Sequence, residues 1–394
     1  MDNRPLAGIK VVDLTQIYQG PYAAFLMAMA GAEVIKVEPI GGERLRGHGG
    51  DRTPMSFAML NSNKKSVTLD LKQDKGKALL CDLVKQSDVL LENYAPGVMD
   101  RLGVGWDILK TINPMLVYGS GTGYGLSGPD RNMLAMDHTI QAASGIMSTT
   151  GDADQPPSRA GGAPCDIMGG IHMYAGVLSA LFARQQSGKG TRVEVSMLES
   201  MYFTLCTELT SYHLHGKLSE RNSARSPGGS CPYGRYQCKD GYIAMLSVRE
   251  GHWVNILDVI GRADLKSDPA YGSVRQRLKI EDEINEMIES WTRTRSRDDA
   301  YMAFRQAKVP VAPVRDVDEV TRDPHLHERG MLHDMVHEIM GELVLPSSPI
   351  RYSDYDDVPL DFFPEVGAHN DEVYGGWLGL NDDELTELRS SQVI

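Results

Sequence analysis

Short apolar runs alternate with amphipathic stretches from the start of the chain. Gly8–Leu14 (GIKVVDL) is an apolar run of strand length and reads as a buried strand. PYAAFLMAMAGAE follows, with Pro21 suited to a helix N-terminus and Gly31 to its end. Glu33–Glu38 (EVIKVE) is the next strand, so the three form a β-α-β unit and predict a parallel sheet. KSVTLDL is another strand, and in the helix QDKGKALLCDLVKQS the residues Leu79, Leu80, Leu83 and Val84 form one apolar face. DVLLENY and MLVYGSGTGYGLSGP read as two further strands, the second running into a glycine-rich loop. This alternation, sustained through Tyr118, predicts an α/β fold.

After Arg184 the texture changes. QQSGKGTRVEVSM is a turn and a strand, and LESMYFTLCTELTSYHLHG a single helix. SERNSARSPGGSCPYG is polar and rich in Gly, Ser and Pro, a linker or a mobile loop. YGRYQCKDGYIAML, with a hairpin turn at CKDGY, opens a smaller second domain that runs to about Val320. The tail is an extended segment and then a helix. The expected division is 1–215 for the N-terminal part of a large domain, 216–325 for the smaller domain with its linkers, and 326–394 for a C-terminal segment.

A chain of 394 residues with 41% hydrophobic residues has material for two or three domains. Its formal net charge of −13 argues against nucleic acid as a partner, although a small anion needs only a few local donors. Five cysteines without a C-x-x-C pair argue against a disulfide framework or a zinc site and fit a reducing cytosol; no metal site is expected. The N-terminus lacks signal-peptide character, and no apolar stretch approaches the ~20 residues of a membrane span, so a cytoplasmic protein is expected.

Four stretches carry candidate chemistry. TQIYQGPYAA lies where a dinucleotide fold places G-x-G-x-x-G but holds only Gly20, which disfavours NAD or FAD. GSGTGYGLSGP lacks the Lys-Ser/Thr pair of a Walker loop, and is either a mobile turn or the border of a crevice. Lys64 and Lys65 of NSNKKS, with Lys72, are either a solvated turn or a seat for an anionic ligand. In GGAPCDIMGGIH, Asp166 stands where an N-cap belongs, before the periodic run Ile167, Ile171, Tyr174, Leu178 and Leu181. It is either a plain cap or a carboxylate kept ionised by the helix dipole and available as a nucleophile. Gly169 and Gly170 leave space for something bulky over Asp166. A Cys165 thiol with His172 as base is the alternative, disfavoured because His172 lies nearly two turns further along.

These stretches, in this order, resemble the family III CoA-transferases over most of the chain. The likeness is carried by VVDLTQIYQGPYAAFLMAMAGAEVIKVE, NSNKKSVTLDLK, VLLENYAPGVMDRLGVGWDILKTINPMLVYGSGTGYGLSGP and CDIMGGIHMYAGVLSALFARQQSGKGTRVEVSMLES. The resemblance implies a Rossmann-like large domain built from the N-terminal half and the C-terminal tail, a smaller inserted α/β domain, and an interlocked homodimer. It implies acyl-CoA and a small carboxylic acid as substrates, with no tightly bound cofactor. It puts Asp166 in the nucleophile's place, forming an aspartyl anhydride and then an aspartyl-CoA thioester. It also implies CoA contacts: Tyr18 and Gln19 at the thiol end, Leu69 and Lys72 at the nucleotide end, Asn93 and Tyr94 along the CoA moiety, and Arg101 on a phosphate.

Several positions depart from the pattern. Pro39 replaces an Arg that many members carry after the VIKVE strand, leaving Arg44 or Arg46 as substitutes. Members that handle formyl-CoA have a Lys and a Tyr near Leu134 and Met136, which implies a different acyl specificity here, with Met136 counted among the CoA-binding residues. The α-methylacyl-CoA racemases of the same superfamily need a His where Met136 stands, and His138 is two residues off, which disfavours that activity. A non-catalytic acyl-CoA-binding subunit is the remaining alternative. Arg225, Arg235 or Arg249 are candidates for a second carboxylate, and SERNSARSPGGSCPYG for a closing element.

Overall fold

The structure is a computed structural model that describes residues 3–47, 55–218, 220–222, 224, 229–338 and 340–394. The first half of the chain builds a six-stranded sheet. Its strands are β1 (Lys10–Asp13), β2 (Glu33–Glu38), β3 (Lys65–Thr68), β4 (Val89–Glu92), β5 (Val117–Thr122) and β6 (Thr191–Ser196). They lie in the order β3-β2-β1-β4-β5-β6, all parallel, which is the doubly wound dinucleotide-fold order. The connecting helices are α1 (Gln19–Met29), α2 (Met55–Asn61), α3 (Asp74–Lys85), α4 (Val98–Leu102), α5 (Trp106–Ile112), α6 (Asp137–Ala143) and α7 (Pro164–Ser187), with α8 (Met197–Tyr202) after β6.

Side-chain alternation divides each central strand between two cores. Val12, Ile35, Val67 and Leu90 pack against α3, α5 and the C-terminal residues Val373, Tyr374, Leu385 and Val393. Val11, Val34, Val89 and Val117 face α1 and α7 on the other side. Strands covered on both faces have no room for a polar alternation, which is why they read as plain apolar runs. Helix α7 is long and apolar enough to cross a membrane by length and composition, contrary to the reading that no stretch is. Here Met173, Tyr174, Val177 and Leu181 bury one side of it in the core.

The chain divides into two compact units. The first comprises residues 1–144, 160–204 and 323–394, and the second residues 145–159 and 205–322. The expected boundary at 215 thus moves to 204, and 145–159 joins the smaller unit. The composition break used to place that boundary lies inside the second unit. The single helix expected over Leu198–Gly216 is interrupted at Phe203–Leu205, separating α8 from α9 (Cys206–His215) at the division. In the second unit β7 (Tyr233–Gln237), β8 (Tyr242–Leu246) and β9 (Val311–Pro313) form an antiparallel sheet around the CKDGY turn. Its inward residues Tyr236, Ile243 and Met245 meet the helices Glu250–Val259, Glu281–Thr292 and Arg297–Gln306. The tail expected to be extended contains an antiparallel hairpin, β10 (Leu332–His337) with β11 (Gly341–Pro346). Beyond it, Asn370 and Tyr374 bond the Thr68 backbone and side chain at the end of β3.

Candidate active site

In this strand order the chain reverses direction of winding between β1 and β4, so the loops after these two strands part and leave a crevice. Gln16 and Asn93 bridge the crevice with a reciprocal pair of bonds: Gln16 N–H donates to Asn93 Oδ1 at 2.7 Å, and Asn93 Nδ2 to Gln16 O at 2.8 Å. A cavity of about 650 Å³ opens there. Gln16, Ile17 and Gln19 line it from the β1 loop, Arg44 from beyond β2, and Asn93–Pro96 and Arg101 from beyond β4. Gly121–Gly123 and Asn132–Met136 close it from the β5 side, with Asp166 and Met197.

Asp166 is the third residue of α7, behind Ala163 at the N-cap and Pro164 at the first position. The N-cap role read from the sequence is therefore not its own. The carboxylate of Asp137, from the start of α6, caps α7 instead, accepting the N–H groups of Cys165 at 2.8 Å and Asp166 at 3.2 Å. That leaves the Asp166 side chain facing the cavity, only 7% exposed. Burial, and next the Asp137 carboxylate, push its pKa up to about 7, against one hydrogen bond from the Gln19 N–H. The expectation that the helix dipole keeps it firmly ionised is thus overturned: desolvation and a like charge outweigh the helix end. Asp166 switches between acid and carboxylate near neutrality.

Gln19 begins α1, is 2% exposed, and its side-chain Nε2 has no hydrogen-bond partner among the described residues. The two glycines of α7 explain how it fits. A Cβ at Gly169 would stand 2.7 Å from Gln19 Nε2, and one at Gly170 2.6 Å from Gln19 O. The space read as room for a ligand is filled by α1, and the glycines let the two helices approach closely. An unpaired buried amide costs about 1–3 kcal/mol. A group beside Asp166 that accepts a hydrogen bond would recover that cost.

The thiol alternative fails on the same geometry. Cys165 is fully buried, and burial, then Asp137 and Asp166, push its pKa up to about 12. His172 is exposed and its Nδ1 pairs with Met168 O one turn back on its own helix at 2.8 Å.

The other expected contacts separate into those at the cavity and those away from it. Gln19, Asn93, Tyr94, Arg101 and Met136 line it. Burial pushes Tyr94 up to about 12. Its N–H donates at 2.9 Å to Glu92, a buried carboxyl that desolvation raises to about 7. Tyr18, Leu69 and Lys72 are absent from the wall. Tyr18 caps α1 half-buried, Leu69 is a core side chain at 3% exposure, and Lys72 is exposed beyond β3. Arg235 and Arg249 lie in the second unit, and Arg225 lies outside the described residues, as does part of the SERNSARSPGGSCPYG stretch.

Two of the three lysines of the basic cluster are committed within the fold. Lys64 is buried and gives its three donors to Asp13 Oδ2 at 2.9 Å and to Pro21 O and Asn61 Oδ1 at 3.0 Å. Lys65 pairs with Glu33 and Glu372. Period-2 alternation places Asp13, Lys36 and Glu38 on the α1 face of the sheet, where a buried ion cluster forms. Lys36 reaches Glu43 at 2.6 Å and Thr15 O at 3.0 Å, and Arg46 forks onto Glu38 at 2.6 and 2.7 Å. The cluster supports the β1 loop, whose Ile17 takes φ +67°, a strained value for a β-branched residue, and donates its N–H to Glu43 at 3.3 Å. Of the two arginines proposed to replace the missing contact at Pro39, Arg46 is thus committed to Glu38. Arg44 is exposed on the cavity wall.

Sequence reasoning missed Asp137. Its signal was present, an acidic residue opening the helical stretch DHTIQAA, but its target 29 residues away was not. Among the described residues no group of three or more His, Cys, Asp or Glu is placed to hold a metal ion.

The family model CoA-transferase family III matches residues 6–370. A formyl-CoA:oxalate CoA-transferase of Streptomyces coelicolor is 36% identical over 413 aligned positions, covering all of both chains. The succinyl-CoA–L-malate CoA-transferase beta subunit of Chloroflexus aurantiacus is 33% identical, covering 99% of this chain and 98% of that one. A crystal structure of a CaiB/BaiF family protein from Brucella suis superposes with a TM-score of 0.85 at 30% identity, over 95% of this chain and all of its own. The chain belongs to CoA-transferase family III and is an enzyme of that family.

Proposed function

We propose that the protein moves CoA from an acyl-CoA to a free carboxylic acid with Asp166 as the covalent nucleophile. The observation that carries this reading is a carboxyl group, 7% exposed and titrating at about 7, on the wall of a cavity at the sheet's switch point. The ionised Asp166 oxygen attacks the thioester carbonyl and CoA thiolate leaves, giving an aspartyl–acyl anhydride. The thiolate attacks the aspartyl carbonyl, which releases the first acid and leaves an aspartyl-CoA thioester. The acceptor carboxylate attacks that thioester and expels the thiolate, forming a second anhydride. Attack of the thiolate on the new acyl carbon frees Asp166 and the product. One thioester and one free carboxylate stand on each side of the net reaction, so the exchange is nearly balanced in energy and needs no other energy source.

Gln19 Nε2, unpartnered beside Asp166, supplies a hydrogen bond to the oxyanion of each tetrahedral intermediate. Arg44 and Arg101 are the two cations of the wall and take the phosphates. Tyr94 and Pro96 offer apolar surface between those ends. By the family likeness we take the working form to be an interlocked homodimer, which light scattering of the purified protein tests.

The mechanistic test is mass spectrometry of the protein incubated with acyl-CoA donors and quenched with or without hydroxylamine. A CoA-sized adduct, converted by hydroxylamine to a hydroxamate on the peptide containing Asp166 and absent from Asp166→Ala, is the expected result. An adduct on Cys165 refutes the assignment. Exchange of the α-proton of a branched acyl-CoA in heavy water, with no adduct, transfers the site to racemase chemistry.

A further inference from the structure

The cavity is chemically lopsided along the sheet edge. Its cations are Arg44, beyond β2, and Arg101 in α4, whose guanidinium lies against Gly97. The segment after β5 is instead apolar: Met133, Leu134 and Met136 line the wall while 59%, 86% and 56% exposed. Met197 adds a buried thioether to the same cavity. Two hydrogen bonds say which end holds the reacting carboxyl. Asp137, the neighbour of Met136, accepts the N–H groups of Cys165 and Asp166 at 2.8 and 3.2 Å. The apolar strip therefore adjoins Asp166. Arg44 follows a strand three places from β5 in the sheet, roughly 14 Å at the usual strand spacing, and Arg101 follows β4, the strand next to β5.

We infer that the acids exchanged here are monocarboxylic acids with an apolar tail, seated against Met133, Leu134 and Met136. This rests on the CoA-transfer reading above. A substrate whose phosphates lie at the Arg44 end puts its acyl group at the Asp166 end. A second carboxylate there would meet two thioethers and an isobutyl group. It would also face the Asp166 carboxyl, while the two cations that line the cavity, Arg44 and Arg101, come from beyond β2 and β4 rather than from this segment. Arg131, two residues before the strip, is exposed and lies outside the wall. An alkyl tail gains by covering apolar side chains that water now touches, about fourfold in kcat/KM per methylene for as long as the tail reaches new surface.

The test is identity exchange: acyl-CoA is mixed with its own isotopically labelled free acid and label entering the thioester is measured. Acetyl-, butyryl- and hexanoyl-CoA are compared with succinyl-CoA, for wild type, Leu134→Lys and Met136→Lys. Thermal unfolding of each variant checks that these exposed substitutions leave the fold intact. For wild type we expect exchange to rise from acetyl to hexanoyl and to exceed succinyl at least tenfold. In each lysine variant the hexanoyl to succinyl ratio should fall at least tenfold. Faster succinyl than hexanoyl exchange in wild type overturns the inference and leaves CoA transfer standing. An unchanged ratio in both variants overturns it too, and if light scattering then shows a changed mass, the strip belongs to a subunit contact. No exchange with any donor removes the transfer reading and this inference with it.

Discussion

Replacing Asp166 by Asn tests whether the site is built at the expense of stability. Burial and Asp137 move the carboxyl from 3.8 to about 7. The folded protein therefore binds this proton more tightly than the unfolded chain, and between those two values stability falls as pH rises. At 1.36 kcal/mol per pH unit the ionised side chain costs the fold about 4 kcal/mol once the pH exceeds 7. Asparagine has the same shape, carries no charge and can donate an N–H toward Asp137. Asp166→Asn should thus be the more stable protein at pH 8, by up to about 4 kcal/mol. The gap should shrink by about 2–3 kcal/mol on going to pH 5, where the wild-type carboxyl is already protonated in the fold. Paired urea titrations followed by circular dichroism at pH 5, 6, 7 and 8 measure it. A gap independent of pH would show that Asp166 is not desolvated. Equal stability of the two proteins at pH 8 would restore the sequence-based reading of this residue as a helix cap, because Asn caps a helix as well as Asp does.

The same titration governs chemistry: formation of the Asp166 adduct should fall about tenfold per pH unit below 7, and a rate flat from pH 5 to 8 in rapid-quench experiments would contradict it. Gly169→Ala places a methyl 2.7 Å from Gln19 Nε2, so adduct formation should drop at least tenfold and the overpacked helix contact should cost about 1–3 kcal/mol of stability. Unchanged adduct kinetics would remove Gln19 from the oxyanion role. Arg44→Ala should weaken CoA binding about tenfold, by calorimetry, at unchanged melting temperature. Arg46→Ala should instead cost about 3–5 kcal/mol of stability by stranding Glu38 in the interior; the opposite pattern would exchange their roles.

The sheet was legible because its strands are short apolar runs separated by helices with one apolar face. EVIKVE coincides with β2 end to end. Asp166 was legible as a carboxylate at the head of an apolar helix, but its ionisation was not, because the charge that opposes it arrives from α6. Gly169 and Gly170 were visible as an oddity in a helix; that they accommodate Gln19, 150 residues earlier, is a tertiary fact. Lys64 and Lys65 illustrate the same limit. Two adjacent lysines look like a solvated or anion-binding pair until the fold buries one of them against Asp13 and leaves the other beside Glu33. The boundary at 204 was missed because a run of Gly, Ser and Pro marks a loop, and a loop need not separate domains.

The ion cluster beneath the β1 loop contains three acids, Asp13, Glu38 and Glu43, and three bases, Lys36, Arg46 and Lys64, so its formal charge is zero. A neutral set of this kind constrains how the protein can change. Any single neutralising substitution leaves one ion without its counterpart in a dry interior, whereas paired losses such as Asp13→Asn with Lys64→Met keep the sum unchanged. Because Thr15 and Ile17 hang from this cluster, the loop that delivers Gln19 to Asp166 can be remodelled only in compensated steps. Directed evolution of this enzyme toward new acids should then leave these six positions alone or move them two at a time, and spend its single changes on the wall around Met136.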